Sequence, residues 1–116
     1  MKITIRSSVF QTTLALSLVC GISNSNAQTV DVAAAEAALK DSKCIKCHAV
    51  ASKKDGPALK EVAAKYKGKA DAEAKLTKHI TTGPKVKVDG FEEDHPIIKT
   101  KDAAAIKNVI AYILTR

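Results

Sequence analysis

Cys44-Ile45-Lys46-Cys47-His48 is the stretch around which the rest of this chain must fold. It is a C-x-x-C-H run, the pattern by which a haem is attached covalently. Two thiols three positions apart lie on one side of a helical turn. From there each can add to a vinyl group of one porphyrin and form a thioether. The residue that follows, His48, is then placed to offer its imidazole to the iron as proximal ligand. The reading is one haem c, with Cys44 and Cys47 as attachment points and His48 as an axial ligand.

Other uses of two close cysteines fit less well. A thiol–disulfide pair follows a strand and opens a helix, whereas Asp31 to Lys40 reads as a helix that ends at the motif. A zinc site needs four ligands, usually with a second close pair. The remaining histidines, His79 and His95, stand sixteen positions apart and form no such pair.

Residues 1–27 have the three parts of a secretory signal. Lys2 and Arg6 form a positive head, Val9 to Val19 is apolar but short for a bilayer span, and Ser25-Asn26-Ala27 offers small residues for cleavage. The expected domain is then residues 28–116, exported to the periplasm, with no membrane span. Cys20 lies inside the signal, preceded by the bulky Val19 where a lipidated cysteine wants a small residue. With cleavage after Ala27 only the two cysteines of the motif remain, which excludes a structural disulfide.

The expected domain has Tyr66, Phe91 and Tyr112 as its aromatics and no Trp. That is a thin apolar inventory for a small core, and a porphyrin would supply the missing hydrophobic mass. The whole chain carries a formal charge of +7. Loss of the signal removes two positive charges and no acid, and leaves +5. Most lysines read as solvated helix faces. Lys43, Lys46, Lys53 and Lys54 flank the motif, and a positive rim there would steer a redox partner protein with an acidic docking surface. Nucleic-acid binding is disfavoured by export and by the lack of aromatics among the basic residues.

Beyond the motif the chain reads as nearly all helix, with no alternation that would make a strand. Asp31 is a helix N-cap, followed by Val32, Ala35 and Leu39 at helical spacing. Gly56-Pro57 breaks a loop. Leu59, Val62, Ala63 and Tyr66 form an amphipathic face that stops near Gly68. Asp71 is expected to cap a third helix with Leu76 and Ile80 on one face, ended by Gly83-Pro84. Lys85 to Lys101 reads as a long loop. Asp102 caps the last helix, where Ile106, Val109, Ile110 and Ile113 recur at i, i+3, i+4 and i+7.

This order of elements resembles a small bacterial class I cytochrome c of the c551/c8 type. Gly56-Pro57-Ala58-Leu59-Lys60-Glu61-Val62-Ala63-Ala64-Lys65-Tyr66 is similar, nearly residue for residue, to that group's G-P-A-[FY]-K-[ED]-V-A-A-K-[FY] segment, and Asp71-Ala72-Glu73-Ala74-Lys75-Leu76 continues the likeness. The resemblance implies an all-α fold of four to five short helices wrapped around one covalent haem. It also implies a periplasmic carrier of single electrons, not an enzyme. By position, the Pro57 carbonyl would accept a hydrogen bond from His48. The first and last helices would cross with Ala35 near Tyr112, which stands where the group often has Trp.

One departure matters. The group's second axial ligand is a methionine before the last helix, and this chain has no methionine except Met1. Aligned back from the last helix, His95-Pro96 falls where the group has Met-Pro, so His95 is the expected distal ligand, in a loop about two residues longer. His79 matches a position near a haem propionate and is the rival for the iron. Lysine would ligate iron only when deprotonated, which is costly near neutral pH. Imidazole in place of thioether removes a bias toward ferrous iron, so the expected midpoint potential is low, lowered further if Glu92-Glu93-Asp94 lies close. The alternative is a protein that binds or senses NO, CO or O2 at a labile or absent sixth position. A peroxidase would need an acid–base pair that the sequence does not offer.

Overall fold

Asp31 starts the first helix by accepting the Ala34 backbone N–H on its carboxylate at 3.0 Å. The computed structural model describes residues 29–116, so the expected signal, 1–27, lies outside the described residues. Helix α1 runs Val32–Asp41 and buries Ala35 and Leu39. Lys43 follows in the left-handed conformation, φ 62°, and turns the chain out of α1 into a single 3-10 turn, Cys44–Lys46. Residues i and i+3 eclipse in such a turn, which sets Cys44 and Cys47 on one side of it.

Helix α2, Leu59–Tyr66, buries Leu59 and Ala63. Glu61 steadies its start by accepting the Ala58 N–H at 3.0 Å. Helix α3, Ala72–Thr82, buries Ala72, Leu76 and Ile80, and Gly83 ends it at φ 60°. Asp71, expected to cap this helix, makes no capping bond. Its carboxylate instead meets Lys75 Nζ at 2.7 Å, one turn along the exposed face. Helix α4, Ala103–Leu114, is capped by Asp102 through Ala104 N–H at 3.0 Å and buries Val109, Ile110, Tyr112 and Ile113.

The expected long loop contains a two-stranded antiparallel hairpin, β1 Lys85–Val88 and β2 Phe91–Asp94, which corrects the reading of the chain as free of strands. The reason is local. Lys-Val-Lys-Val alternates with period two, and Asp89-Gly90 turns with positive φ at both residues, 50° and 88°. This is the Asp-Gly signal of a two-residue hairpin. In register, Lys85 faces Asp94, Val86 faces Glu93, Lys87 faces Glu92 and Val88 faces Phe91.

Helix α4 is the hub, packed on α1, α2 and α3. Ala35, Leu39, Leu59, Leu76, Ile80, Ile98, Val109, Ile110, Tyr112 and Ile113 form one buried cluster. The zero exposure of Ala35, in the same cluster as Tyr112, agrees with the expected helix crossing. Two buried polar residues tie distant segments together. Asn108 accepts from Asp31 N–H at 2.9 Å and donates to Asp31 C=O at 2.8 Å, joining the start of α1 to α4. The Ser42 hydroxyl accepts from Lys99 N–H at 3.0 Å, joining the end of α1 to the chain before α4.

Candidate cofactor site

His48 is oriented before any cofactor is considered. Its Nδ1 donates to the Pro57 carbonyl at 2.7 Å. A neutral imidazole with the proton on Nδ1 keeps its lone pair on Nε2, the nitrogen available to a metal. Gly56 closes this arrangement from behind. A Cβ there would lie 2.6 Å from His48 Cε1 and 3.0 Å from both ring nitrogens, so the ring lies flat on the glycine. The sequence marked Gly56 only as a break. Its packing role has no local signature.

Cys44, Cys47 and His48 line one cavity of about 500 Å³. That is within the usual range for a bound cofactor, about 300–1,000 Å³. Leu39, Leu59, Leu76, Ile80 and Ile113 supply apolar walls from all four helices, and Pro57 contributes from the loop before α2. Burial holds the Cys44 thiol above its usual range, with neighbouring Cys47 adding to the effect.

The hairpin forms the opposite wall. Val86, Val88, Glu93 and Asp94 line the cavity, and His95 follows directly from β2. The base of the hairpin is locked in place. His95 N–H donates to Pro84 C=O at 3.0 Å and Ile98 N–H to Ile80 C=O at 2.8 Å. Gly83 is held beneath it, where a Cβ would come within 2.6 Å of the His95 carbonyl oxygen. Of the expected acidic run, Glu93 and Asp94 reach the cavity wall, with Asp94 held by Lys85 at 2.8 Å. Glu92 pairs in register with Lys87.

All three described histidines converge. The rings of His48 and His95 have centroids 5.9 Å apart, and those of His79 and His95 lie 4.3 Å apart, edge to face. Two imidazoles on opposite sides of one metal, each bonded through nitrogen at about 2 Å, need centroids about 6 Å apart. His95 Nδ1 is buried without a hydrogen-bond partner. Burial, then the charges of His79 and His48, push His95 below its usual range; the nearby Pro96 carbonyl works the other way. Burial is also the main cause that lowers His79, followed by His48 and Lys65. Among the described residues no group of three or more His, Cys, Asp and Glu gathers around a point where a bare metal ion would sit. The donor set is instead a facing pair of imidazoles beside two thiols and apolar walls, which suits a flat, iron-bearing macrocycle.

Residues 32–116 match the model of one protein family, described as cytochrome c. The chain belongs to the cytochrome c family. It is a small class I c-type cytochrome of the c-551 kind, and the family binds one covalently attached haem c. The crystal structure of the class 1 cytochrome MtoD from Sideroxydans lithotrophicus ES-1 is similar at 52% identity and a TM-score of 0.72, over 75% of this cytochrome and 97% of that one. Cytochrome c552 of Nitrosomonas europaea matches as a structure at 35% identity and a TM-score of 0.57, over 69% and 96% of the two chains. Cytochrome c-551 of Pseudomonas aeruginosa is 48% identical over 48 residues, 41% of this cytochrome and 46% of that protein, so the aligned stretch spans about half of that relative. Among the described residues, four helices around one core, with a small hairpin added, are this cytochrome's form of the class I fold. Among the described residues no helix is long and apolar enough to cross a membrane.

Proposed function

We propose that this cytochrome is a periplasmic carrier of single electrons with two histidines on its haem iron. In this reading Cys44 and Cys47 hold the haem and His48 is the proximal ligand, oriented by the Pro57 carbonyl. His95 is the distal ligand through Nε2. The single observation that carries the reading is the 5.9 Å spacing of the His48 and His95 rings, close to what ligation of one metal from both sides demands. The bound haem supplies one-electron chemistry by cycling between ferric and ferrous iron.

The chain's own residues then set the conditions. An imidazole at His95 lacks the preference of a thioether for ferrous iron, which lowers the midpoint potential relative to a His/Met cytochrome. Glu93 on the cavity wall acts in the same direction, while Asp94 is paired with Lys85, and Lys43, Lys65 and Lys87 line the same cavity. With both axial positions filled by protein, no substrate is required at the iron and no acid–base catalysis is needed. Lys43, Lys46, Lys53 and Lys54 are exposed around the attachment motif and would attract an acidic redox partner. Export rests on the signal read in residues 1–27.

The test is optical and EPR spectroscopy of the holoprotein in both oxidation states, repeated with His95→Ala. Low-spin spectra in both states that become high-spin in the variant support the reading. A high-spin ferrous wild type that binds CO readily would point to an open site and overturn it. Low-spin spectra that the substitution leaves unchanged would remove His95 from the iron.

A further inference from the structure

We infer that His79 is a positioning residue for the distal ligand, accepting a hydrogen bond from His95 Nδ1 as the Pro57 carbonyl does from His48. The inference rests on the reading of His95 as a ligand through Nε2. Once that nitrogen is committed to a metal, the proton of a neutral imidazole must sit on Nδ1, which becomes a donor. His95 Nδ1 is buried and has no partner. A buried donor of this kind demands an acceptor, and histidine ligands of metals almost always find one for their other ring nitrogen.

His79 is the group placed to provide it. Its ring stands edge-on to that of His95, 4.3 Å between centroids. The pair is in contact edge to face, closer than the centroid separation of about 5 Å that an N–H···N bond of about 3 Å sets, so the two rings turn into line and part by about 1 Å as the bond forms. The Pro96 carbonyl is the rival acceptor: it lies close enough to the His95 ring to favour its protonated form, but not in hydrogen-bonding geometry with Nδ1. His79 is also the better anchored of the two. It sits in α3 beside buried Ile80 and one turn from buried Leu76, while His95 follows the exposed strand β2, held there through its backbone bond to Pro84. A side chain on a packed helix thereby orients a ligand delivered by a loop.

The family resemblance assigns the His79 position to a haem propionate, and the experiment separates the two roles. Cyanide is titrated into ferric holoprotein of the wild type, His79→Ala and His79→Gln, each first confirmed as folded by circular dichroism, with EPR and the midpoint potential recorded alongside. Loss of such an outer partner costs about 10–100-fold in ligand strength. The expected result is therefore a low-spin wild type and a low-spin His79→Ala that binds cyanide about 10–100-fold more tightly at a raised potential. His79→Gln, whose amide oxygen is an acceptor, should recover much of the wild-type behaviour. Unchanged cyanide affinity in His79→Ala overturns the inference. So does a variant whose potential alone changes, and that outcome assigns His79 to a propionate. A wild type that is not bis-histidine, shown by His95→Ala leaving its spectra unchanged, removes the underlying reading first and is distinguished by that variant.

Discussion

His48 and Gly56 are in direct face contact, the imidazole lying so flat on the glycine that no side chain fits between them. The glycine is needed for space and not for backbone freedom, since its φ lies outside the positive region that Gly68, Gly83 and Gly90 occupy.

Gly56→Ala should therefore act through the ring. The added methyl displaces His48 or the loop and lengthens the 2.7 Å bond to Pro57. Overpacking of this kind costs about 1–3 kcal/mol. Urea unfolding of the holoprotein, with NMR of the His48 ring protons, checks it. A stability change near zero with unmoved ring resonances would refute the close-packing argument. Gly68→Ala is the contrast: nothing lies within 4 Å of its added Cβ, and only the strain of φ +73° is felt.

Asn108 is a clamp between two ends of the chain. Asn108→Ala removes two hydrogen bonds to the Asp31 backbone, at 2.9 and 2.8 Å. At about 0.5–1.5 kcal/mol each, with the Asp31 groups left half-buried, the expected loss is about 2–3 kcal/mol. The denaturant midpoint should fall with an unchanged slope. A loss of only a few tenths would mean that water replaces the amide without cost.

Tyr112 is buried, and its hydroxyl donates to Glu36 at 2.9 Å. Tyr112→Phe should cost about 1 kcal/mol. Burial first, then the Glu36 bond and charge, hold the phenol above its ordinary value near 10. The folded state thus keeps its proton to higher pH than the unfolded chain does. This contribution to stability is complete below about pH 10 and is lost as pH rises from there toward the folded-state value. Unfolding measured between pH 9 and 12 should show a steeper alkaline decline in the wild type than in Tyr112→Phe. Parallel curves would show that Tyr112 is not the group responsible.

Removal of the haem should leave a largely unfolded chain. The cavity separates apolar walls drawn from all four helices, and Leu39, Leu59, Leu76, Ile80 and Ile113 serve both core and cavity. Cofactor binding and folding then draw on the same surfaces. Far-ultraviolet circular dichroism of the apoprotein, made by replacing Cys44 and Cys47 with Ala, is the measurement. A helical content close to that of the holoprotein would contradict the expectation.

Much of the architecture was legible residue by residue. Asp31 and Asp102 cap helices because a carboxylate one position before an apolar repeat can reach the free N–H groups, and both do so. The apolar spacings of α1, α2 and α4 put Leu39, Leu59 and Val109 inside, as read. Asp71 shows the limit of this logic: the same residue type in the same place chose a nearby lysine. The hairpin was legible too, in Val86, Val88 and Asp89-Gly90, but four-residue strands carry too few alternations to stand out against a helical background.

Chemistry carried by neighbours along the chain, such as C-x-x-C-H, the caps and the absence of a methionine beyond Met1, follows from the order of residues alone, because the groups concerned meet within a turn or two. Contacts across long separations do not. Gly56 against His48, Asn108 on Asp31, and the meeting of His79 with His95 depend on how α3, the hairpin and the loops pack. Their partners are brought together only when the shared core around α4 closes. Tertiary packing therefore decides which imidazole faces His48 and which one stands behind it.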